Sequence, residues 1–388
     1  MDLGQQPWGN HFLPMAAEAV APVYPLDLLV CTDCWMAQIS YTVPKEVMFV
    51  EHDYVSGTTK SLRRHFEGVA ELIKNRVAFG AGDYVLDIGG NDGTFLQSVQ
   101  HFGIDTLNVE SGSRQATLSQ QAGVPTLNAF FNAETAADIR RERGPAKVIH
   151  GSGVFFHLEE LHSVFRGIKE LLASDGFVVA EFIYFPGMIE GMAFDQIYHE
   201  HLTYYAITTF DRLLARHGLK IVDAELMPIH GGSCIAWITH ADTVPESAAV
   251  AALRQKEQAL GLETLELYRG WADRIAALRD KLVALVHGLR RQGLTIHALG
   301  APVKGSTILN YCGFTTDDIA CAVEINELKV GKRVPGAGLP VYHQDRVPPP
   351  DAYLLLAWNF REEALARLGD FRAKGGKIIV PLPAPEII

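Results

Sequence analysis

The sequence predicts an α/β protein: two doubly wound units of parallel sheet wrapped by helices, with a small lobe at the N-terminus. Short apolar runs alternate with helical periods from Tyr84 to Phe182, and the pattern returns from Leu294 to Val380. In both stretches the first apolar run ends in a glycine turn that opens a helix. With 388 residues, 48% hydrophobic and 20% charged, the chain can bury more than one core.

Residues 1–60 read as an irregular lobe, proline-rich at first, holding the pair Cys31-Thr-Asp-Cys34. Two thiolates at this spacing make half of a tetrahedral zinc site, and no second CxxC exists to complete it. A pair of reduced, partly buried thiols is therefore expected, and zinc on Cys31 and Cys34 is the weaker reading.

Residues 61–245 form the first α/β domain. The periods place helices at Arg63–Arg76, Thr94–Phe102, Arg114–Ala122, Glu159–Leu172 and Thr209–His217. Strands fall at Tyr84–Ile88, Thr106–Val109, Lys147–Ile149, Gly176–Phe182, Lys220–Leu226 and Cys234–Thr239. Residues 246–388 open with helices over about 247 to 292, broken near Gly261, which suffice as spacers. A second α/β unit follows, with strands Leu294–Leu299, Ile319–Glu324, Tyr353–Ala357 and Lys377–Val380 and a helix Arg361–Leu368.

A balance of 34 basic and 45 acidic residues, net −11, argues against nonspecific nucleic-acid binding and against docking on an anionic membrane. No apolar run approaches the roughly 20 residues of a membrane helix, and MDLGQQPWGN lacks the regions of a signal peptide. Five cysteines without a disulfide-like pattern fit reduced thiols, so a cytoplasmic protein is expected.

The turn Asp87-Ile-Gly89-Gly90-Asn91-Asp92-Gly93 joins the first strand of the domain to its first helix. Glycines there permit close backbone approach, and carboxylates can hold an amine or a ribose. Glu110, seventeen residues past Gly93, ends the next strand, where an acid can accept ribose hydroxyls. The spacing is D-x-G-x-x-x-G rather than the G-x-G-x-x-G suited to a diphosphate, so a cationic, phosphate-free ligand fits better. S-adenosylmethionine, with its sulfonium, ammonium and ribose, matches.

Phe194-Asp195-Gln-Ile-Tyr198-His199-Glu200-His201 packs a phenol, two imidazoles and two carboxylates into eight residues. Such a crowd belongs to acid–base chemistry, to a metal site that includes Asp195, or to a solvated loop. Gly300-Ala-Pro-Val-Lys304-Gly305-Ser306 follows a strand and starts a helix, so its amides and Lys304 could hold a diphosphate. His230-Gly231-Gly232-Ser233 is a further local candidate for substrate contact.

Taken together, DLGQQPWGNHFLP, CTDC, VLDIGGNDGTFL, FDQIYHEHLTYY, PIHGGS, GAPVKGSTILNYCG and LLLAWNF resemble, in order and over nearly the whole chain, the bacterial nucleotide-sugar C-methyltransferases. That resemblance implies a class I methyltransferase domain of Rossmann-like fold, a Rossmann-like C-terminal domain that contributes to nucleotide-sugar binding, and a zinc-knuckle-like lobe. It implies methyl transfer from S-adenosylmethionine to a sugar carbon beside a ketone, in making an antibiotic or surface-glycan sugar. Asp87, Gly89, Asn91, Gly93 and Glu110 would contact the methyl donor. Tyr198, Glu200 and His201, with Tyr54 of Glu51-His-Asp-Tyr54 and His157 of Phe155-Phe-His157, would form the active site; His230, Gly231 and Lys304 would touch substrate.

The chemistry agrees, since a proton beside a ketone leaves only with a base at the carbon and a donor at the oxygen. An imidazole, titrating near ~6.5 when unperturbed, makes His201 the natural base. Glu200 could orient it or bind a hydroxyl, Tyr198 or Tyr54 could donate to the enolate, and His199 and Asp195 stand by. The sequence departs from the family in four places: no CxxC precedes Asp2-Leu-Gly, Ile235 and Ala236 replace a basic residue, Ser152-Gly153 replaces Ala-Asn, and Glu327 replaces proline. Transfer to oxygen or nitrogen, or a noncatalytic ligand-binding homologue, are the rival readings.

Overall fold

The computed structural model describes residues 1–18, 21–50, 54–58, 60–229 and 231–388. The chain forms two compact units, one of Met1–Val43, Phe185–Thr203 and Leu260–Ile388, the other of Pro44–Tyr184 and Tyr204–Ala259.

In the first unit the N-terminal lobe is not irregular. Strands Asp2–Pro7, Val23–Val30 and Ala37–Ile39 pair antiparallel in that order. Their period was hidden because the register slips between Asp2 and Gln5, where Gly4 takes a left-handed φ of 83°, and because Pro25 interrupts the second strand. The Cys31–Cys34 turn joins the second and third of these strands.

The same unit holds a six-stranded sheet in the order Val341–His343, Cys321–Glu324, Ile296–Leu299, Ala352–Leu355, Lys377–Val380, Glu386–Ile387. All pairings are parallel except the last. The two edge strands escape a sequence reading because they span three and two residues. Ile296–Leu299 has Cys321–Glu324 on one side and Ala352–Leu355 on the other, so the strand order reverses at its carboxyl end. In an open α/β sheet that is where ligands bind. Gly300 lies there at φ 84°, and helix Val303–Tyr311 follows.

The second unit carries a seven-stranded sheet in the order Leu219–Met227, Ser233–His240, Leu172–Ile183, Ala146–Ser152, Tyr84–Ile88, Asp105–Glu110, Thr126–Asn128. Ser233–His240 runs antiparallel to both neighbours and the remaining pairs are parallel. Val85, Val148 and Val179 on one face of the sheet share a core with Phe66 and Val69 of helix Lys60–Arg76 and Phe95 of helix Thr94–Gln100. Strand Thr126–Asn128 and helix Ala133–Arg143 were not legible, since the helix buries only Ala136 and Ile139. The strand order reverses here too, around Tyr84–Ile88, whose carboxyl end is the Gly89–Gly93 turn.

The helices after residue 247 are Ala248–Leu260 and Leu265–Arg291, parted at Gly261 with φ 82°. The first is more than a spacer. Its Glu257 is buried and accepts the Tyr184 hydroxyl (2.9 Å) and the amides of Ile207 (2.7 Å) and Thr208 (2.9 Å). A carboxylate there satisfies orphan amides at the start of helix Ile207–Ala215 and complements its dipole.

Gly93 sits at φ 76°, and a Cβ on it would lie 2.6 Å from Ser119 Oγ. Gly93→Ala should therefore destabilise the second unit by about 1–3 kcal/mol. The check is calorimetry, following the transition that S-adenosylhomocysteine shifts; an unchanged midpoint would show that the turn tolerates a side chain.

Candidate functional site

In the second unit the five residues expected to contact the methyl donor lie in one constellation. Glu110 is buried and clasps the turn: Oε2 accepts the Asn91 amide (2.8 Å) and Oε1 the Gly112 amide (2.6 Å). Burial pushes its carboxyl up and the amide bonds oppose that shift. Gly89, Asn91 and Gly93 all take left-handed φ, at 65°, 51° and 76°. A Cβ on Gly89 would meet Val154 Cγ2 at 2.9 Å, and one on Gly90 would meet Asn108 Oδ1 at 2.5 Å and Asp87 Oδ2 at 2.6 Å. Asp87 thus lies under the turn, bonded through Oδ1 to His150 Nδ1 (2.7 Å), and burial raises its carboxyl against the pull of that histidine.

Several partners of this turn were missed. His150 is buried, stacks on Phe95 at 3.8 Å between ring centroids, and was an unremarked polar residue in an apolar strand. The segment after residue 53 lies across the turn: Ser56 and Gly57 donate their amides to Asn91 Oδ1 and Asp92 Oδ2, each at 3.0 Å. Asn91 Nδ2 (3.3 Å) and Gln115 Nε2 (2.9 Å) donate to the Tyr54 carbonyl. The Tyr54 side chain itself is 54% exposed. At the ends of the neighbouring strands Glu181 Oε2 accepts Ser152 Oγ (2.8 Å) and lies 2.9 Å from His65 Nε2. His157 stacks on Phe49, with ring centroids 5.2 Å apart.

The donor set fits S-adenosylmethionine. A buried acid ends the second strand, glycines leave a cradle that a Cβ would fill, and residues 87–94 contain two acidic side chains, Asp87 and Asp92, but no lysine or arginine.

In the first unit Tyr198, Glu200 and His201 cluster with the N-terminal segment and the Gly300 turn. His201 is buried, and its Nδ1 lies 2.7 Å from the Gln196 carbonyl oxygen. A carbonyl cannot donate, so Nδ1 carries the proton and Nε2 is the basic nitrogen of the neutral ring. The Tyr198 ring lies over it, 3.8 Å between centroids. His199 has the opposite tautomer, its Nε2 facing the Pro25 carbonyl at 3.2 Å, and burial lowers its pKa.

Glu200 is buried, with Trp8 Nε1 and Asn10 Nδ2 (2.6 Å) both donating to Oε1. Burial pushes its carboxyl up to about 7, against those two bonds and the charge of Lys329. The WGN of the N-terminal segment thus has a purpose the sequence did not disclose: it holds this acid. Lys329, also missed, acts on Glu200 and donates to the Ala301 carbonyl (2.7 Å), which ties the acid to the Gly300 turn. That turn is clasped as the other is, for Glu324 Oε2 accepts the Ala301 amide (2.9 Å) and Oε1 the amides of Ile325 (2.8 Å) and Asn326 (3.1 Å).

Lys304 opens the following helix, donating to Asn359 Oδ1 (2.7 Å) with its Nζ 4.6 Å from the Trp358 ring centroid. Gly231 stands in the turn between strands Leu219–Met227 and Ser233–His240, at φ 88°. His230 lies outside the described residues.

The metal reading of the His199–His201 cluster finds no support in its partners, because Asp195, His199 and Glu200 are engaged by Trp358, Pro25 and Trp8 respectively. Cys31 and Cys34 remain two thiols, and burial is slight enough that the Cys34 and Asp33 amides lower the Cys31 pKa. Among the described residues no group of three or more His, Cys, Asp or Glu could hold a metal. The described residues therefore supply two thiols here and do not fit a four-ligand zinc site.

Sequence profiles of three domains match the chain: a zinc binding domain over residues 1–49, a methyltransferase domain over 62–224, and a C-methyltransferase C-terminal domain over 228–383. The C-methyltransferase NovU of Streptomyces niveus is 32% identical over 369 residues, covering 94% of this chain and 88% of that protein. The chain belongs to this C-methyltransferase family. It is an S-adenosylmethionine-dependent enzyme of two Rossmann-like domains and an N-terminal lobe. Solved structures similar to this C-methyltransferase include the CcbJ methyltransferase of Streptomyces caelestis (12% identity, TM-score 0.35, 45% of this chain and 89% of that one). A TehB-like methyltransferase of Corynebacterium glutamicum matches at 18% identity and TM-score 0.34, over 45% and 87%. Among the described residues no helix is long and apolar enough to cross a membrane.

A carboxyl whose pKa rises on folding binds its proton more tightly in the native state, so its contribution to stability is present at acid pH and is lost as pH climbs from 4.5 through about 7. Glu200→Gln in the C-methyltransferase removes that loss while keeping an acceptor for Trp8 and Asn10. The variant should match the parent near pH 4.5 and exceed it above pH 7, by on the order of 3 kcal/mol at most. Thermal melts across that range test this, and a difference that does not grow with pH would contradict it.

Proposed function

We propose that this C-methyltransferase acts on a nucleoside-diphosphate keto-deoxysugar, placing the methyl group on the carbon beside the ketone, at C-3. The observation that carries the reading is the fixed tautomer of His201, with basic Nε2 in a buried setting and an acid of pKa about 7 next to it in the chain. A carbon acid needs both kinds of group, a base at the carbon and a proton donor at the oxygen that takes up the charge.

In this reading His201 Nε2 takes the proton from carbon, and the electron pair moves into the enolate. Tyr198 or Tyr54 donates to the enolate oxygen, and His157 contributes to the site. Glu200, near half-protonated at neutral pH, binds a sugar hydroxyl or orients the base. Asp87, Gly89, Asn91, Gly93 and Glu110 hold S-adenosylmethionine, which supplies an electrophilic methyl group when bound. Lys304 and the amides of the Gly300–Gly305 turn receive the diphosphate, with His230 and Gly231 as further substrate contacts, so that residues 246–388 contribute the nucleotide-sugar site. The acidic net charge and five cysteines outside any disulfide support a small-molecule enzyme of the cytoplasm.

The test is solvent exchange. With S-adenosylhomocysteine in place of the methyl donor, 4-keto nucleotide sugars in D2O should gain deuterium at C-3. His201→Asn should slow that exchange by about 10²-fold or more, the range typical of a lost general base. Methylation of an oxygen or nitrogen with no exchange at carbon would overturn the reading.

A further inference from the structure

Asp195, a bystander by sequence, is the most anomalous side chain of the first unit. It is wholly buried at 0% exposure, yet Oδ1 has no hydrogen-bond partner among the described residues. Its other oxygen, Oδ2, accepts the Trp358 indole N–H at 2.6 Å. A buried carboxylate with one bare oxygen is costly and calls for a counter-charge.

The cation at hand is Lys304. Trp358 links the two groups, since it donates to Asp195 through its nitrogen and offers its ring face to the Lys304 ammonium, while Asn359 accepts from that ammonium. Burial pulls the Lys304 amine below the usual lysine range and Asp195 is the charge that opposes it; burial likewise raises Asp195, opposed first by the charge of Lys304 and then by the Trp358 indole and the backbone amides of Asp195 and Gln196. Among the described residues the N-terminal strand, the Phe194–Gln196 turn and the Trp358–Phe360 turn pack near this helix start, and the other charged groups beside it are Glu324 and Lys329, which bond the Ala301 amide and carbonyl, and Glu200, on which Lys329 acts.

We propose that Asp195 is a positioning residue: with Trp358 it keeps the Lys304 ammonium charged and fixed at the Gly300–Gly305 turn, ready for the diphosphate of the substrate. This rests on the nucleotide-sugar reading. Without the carboxylate, a half-buried amine gives up its proton at lower pH, and the anion site fades with it. Direct contact with substrate remains the task of Lys304, which is why Asp195 acts only through it.

The experiment is calorimetric titration of the full chain with dTDP and UDP from pH 6 to 9.5. Asp195→Asn, which keeps an oxygen for the indole, should bind at pH 6 within a few-fold of the parent and then weaken at lower pH than the parent does, the gap widening toward about tenfold at the alkaline end for each unit by which the pKa of the amine falls. S-adenosylhomocysteine binding in the second unit should be unchanged, and parent-like nucleotide binding at pH 6 shows that the first unit of the variant is folded. If it does not fold, Trp358→Phe keeps the ring beneath the ammonium but frees Asp195, and should show the same alkaline weakening to a smaller extent. A parent pH profile in the variants overturns the role of Asp195 alone. Failure of the unaltered enzyme to bind either nucleotide overturns the diphosphate reading as well.

Discussion

Removing a carboxylate from water is unfavourable unless donors surround it, and Glu110, Glu324 and Glu200 each gather donors of this kind. Glu110 takes the amides of Asn91 and Gly112, which fixes the left-handed turn after the first strand of one sheet. Glu324 takes those of Ala301, Ile325 and Asn326, which fixes the corresponding turn of the other. Glu200 takes an indole and an amide side chain, and the remaining deficit appears as a carboxyl that titrates near neutrality. One physical requirement thus shapes two glycine turns and leaves an acid that titrates near neutrality.

The turns were legible because they are local. Asp87 to Gly93 and Glu110 declare themselves by spacing, since a strand ending in glycines and a following acid have few other uses in an α/β chain. Strand Tyr84–Ile88 and strand Lys377–Val380 fall within the expected residues for the same reason: they are short, mostly buried runs that are apolar but for Asp87 and Lys377. The N-terminal strands were hidden by a slipped register and a proline, and helix Ala133–Arg143 by its nearly polar surface.

What escaped the sequence is long-range pairing. Trp8 and Asn10 meet Glu200 across about 190 residues, Trp358 meets Asp195 across 163, and His150 meets Asp87 across 63. Nothing in local periodicity can announce such partners. Tautomers are equally silent in a sequence: His199 and His201 are neighbours of the same type, and only the carbonyls of Pro25 and Gln196 give them opposite basic nitrogens.

Glu257 bears on how members of this family could be recombined. The helix Ala248–Leu260 looks like a dispensable tether, and a junction near residue 246 would be the obvious place to exchange C-terminal domains between relatives. Yet its carboxylate caps Ile207 and Thr208 and receives the Tyr184 hydroxyl, so the helix belongs to the second unit. A chimera cut at 246 would import a foreign cap into that unit's interior. One cut at Gly261, where the backbone already turns left-handed, would leave the native cap with its own helix.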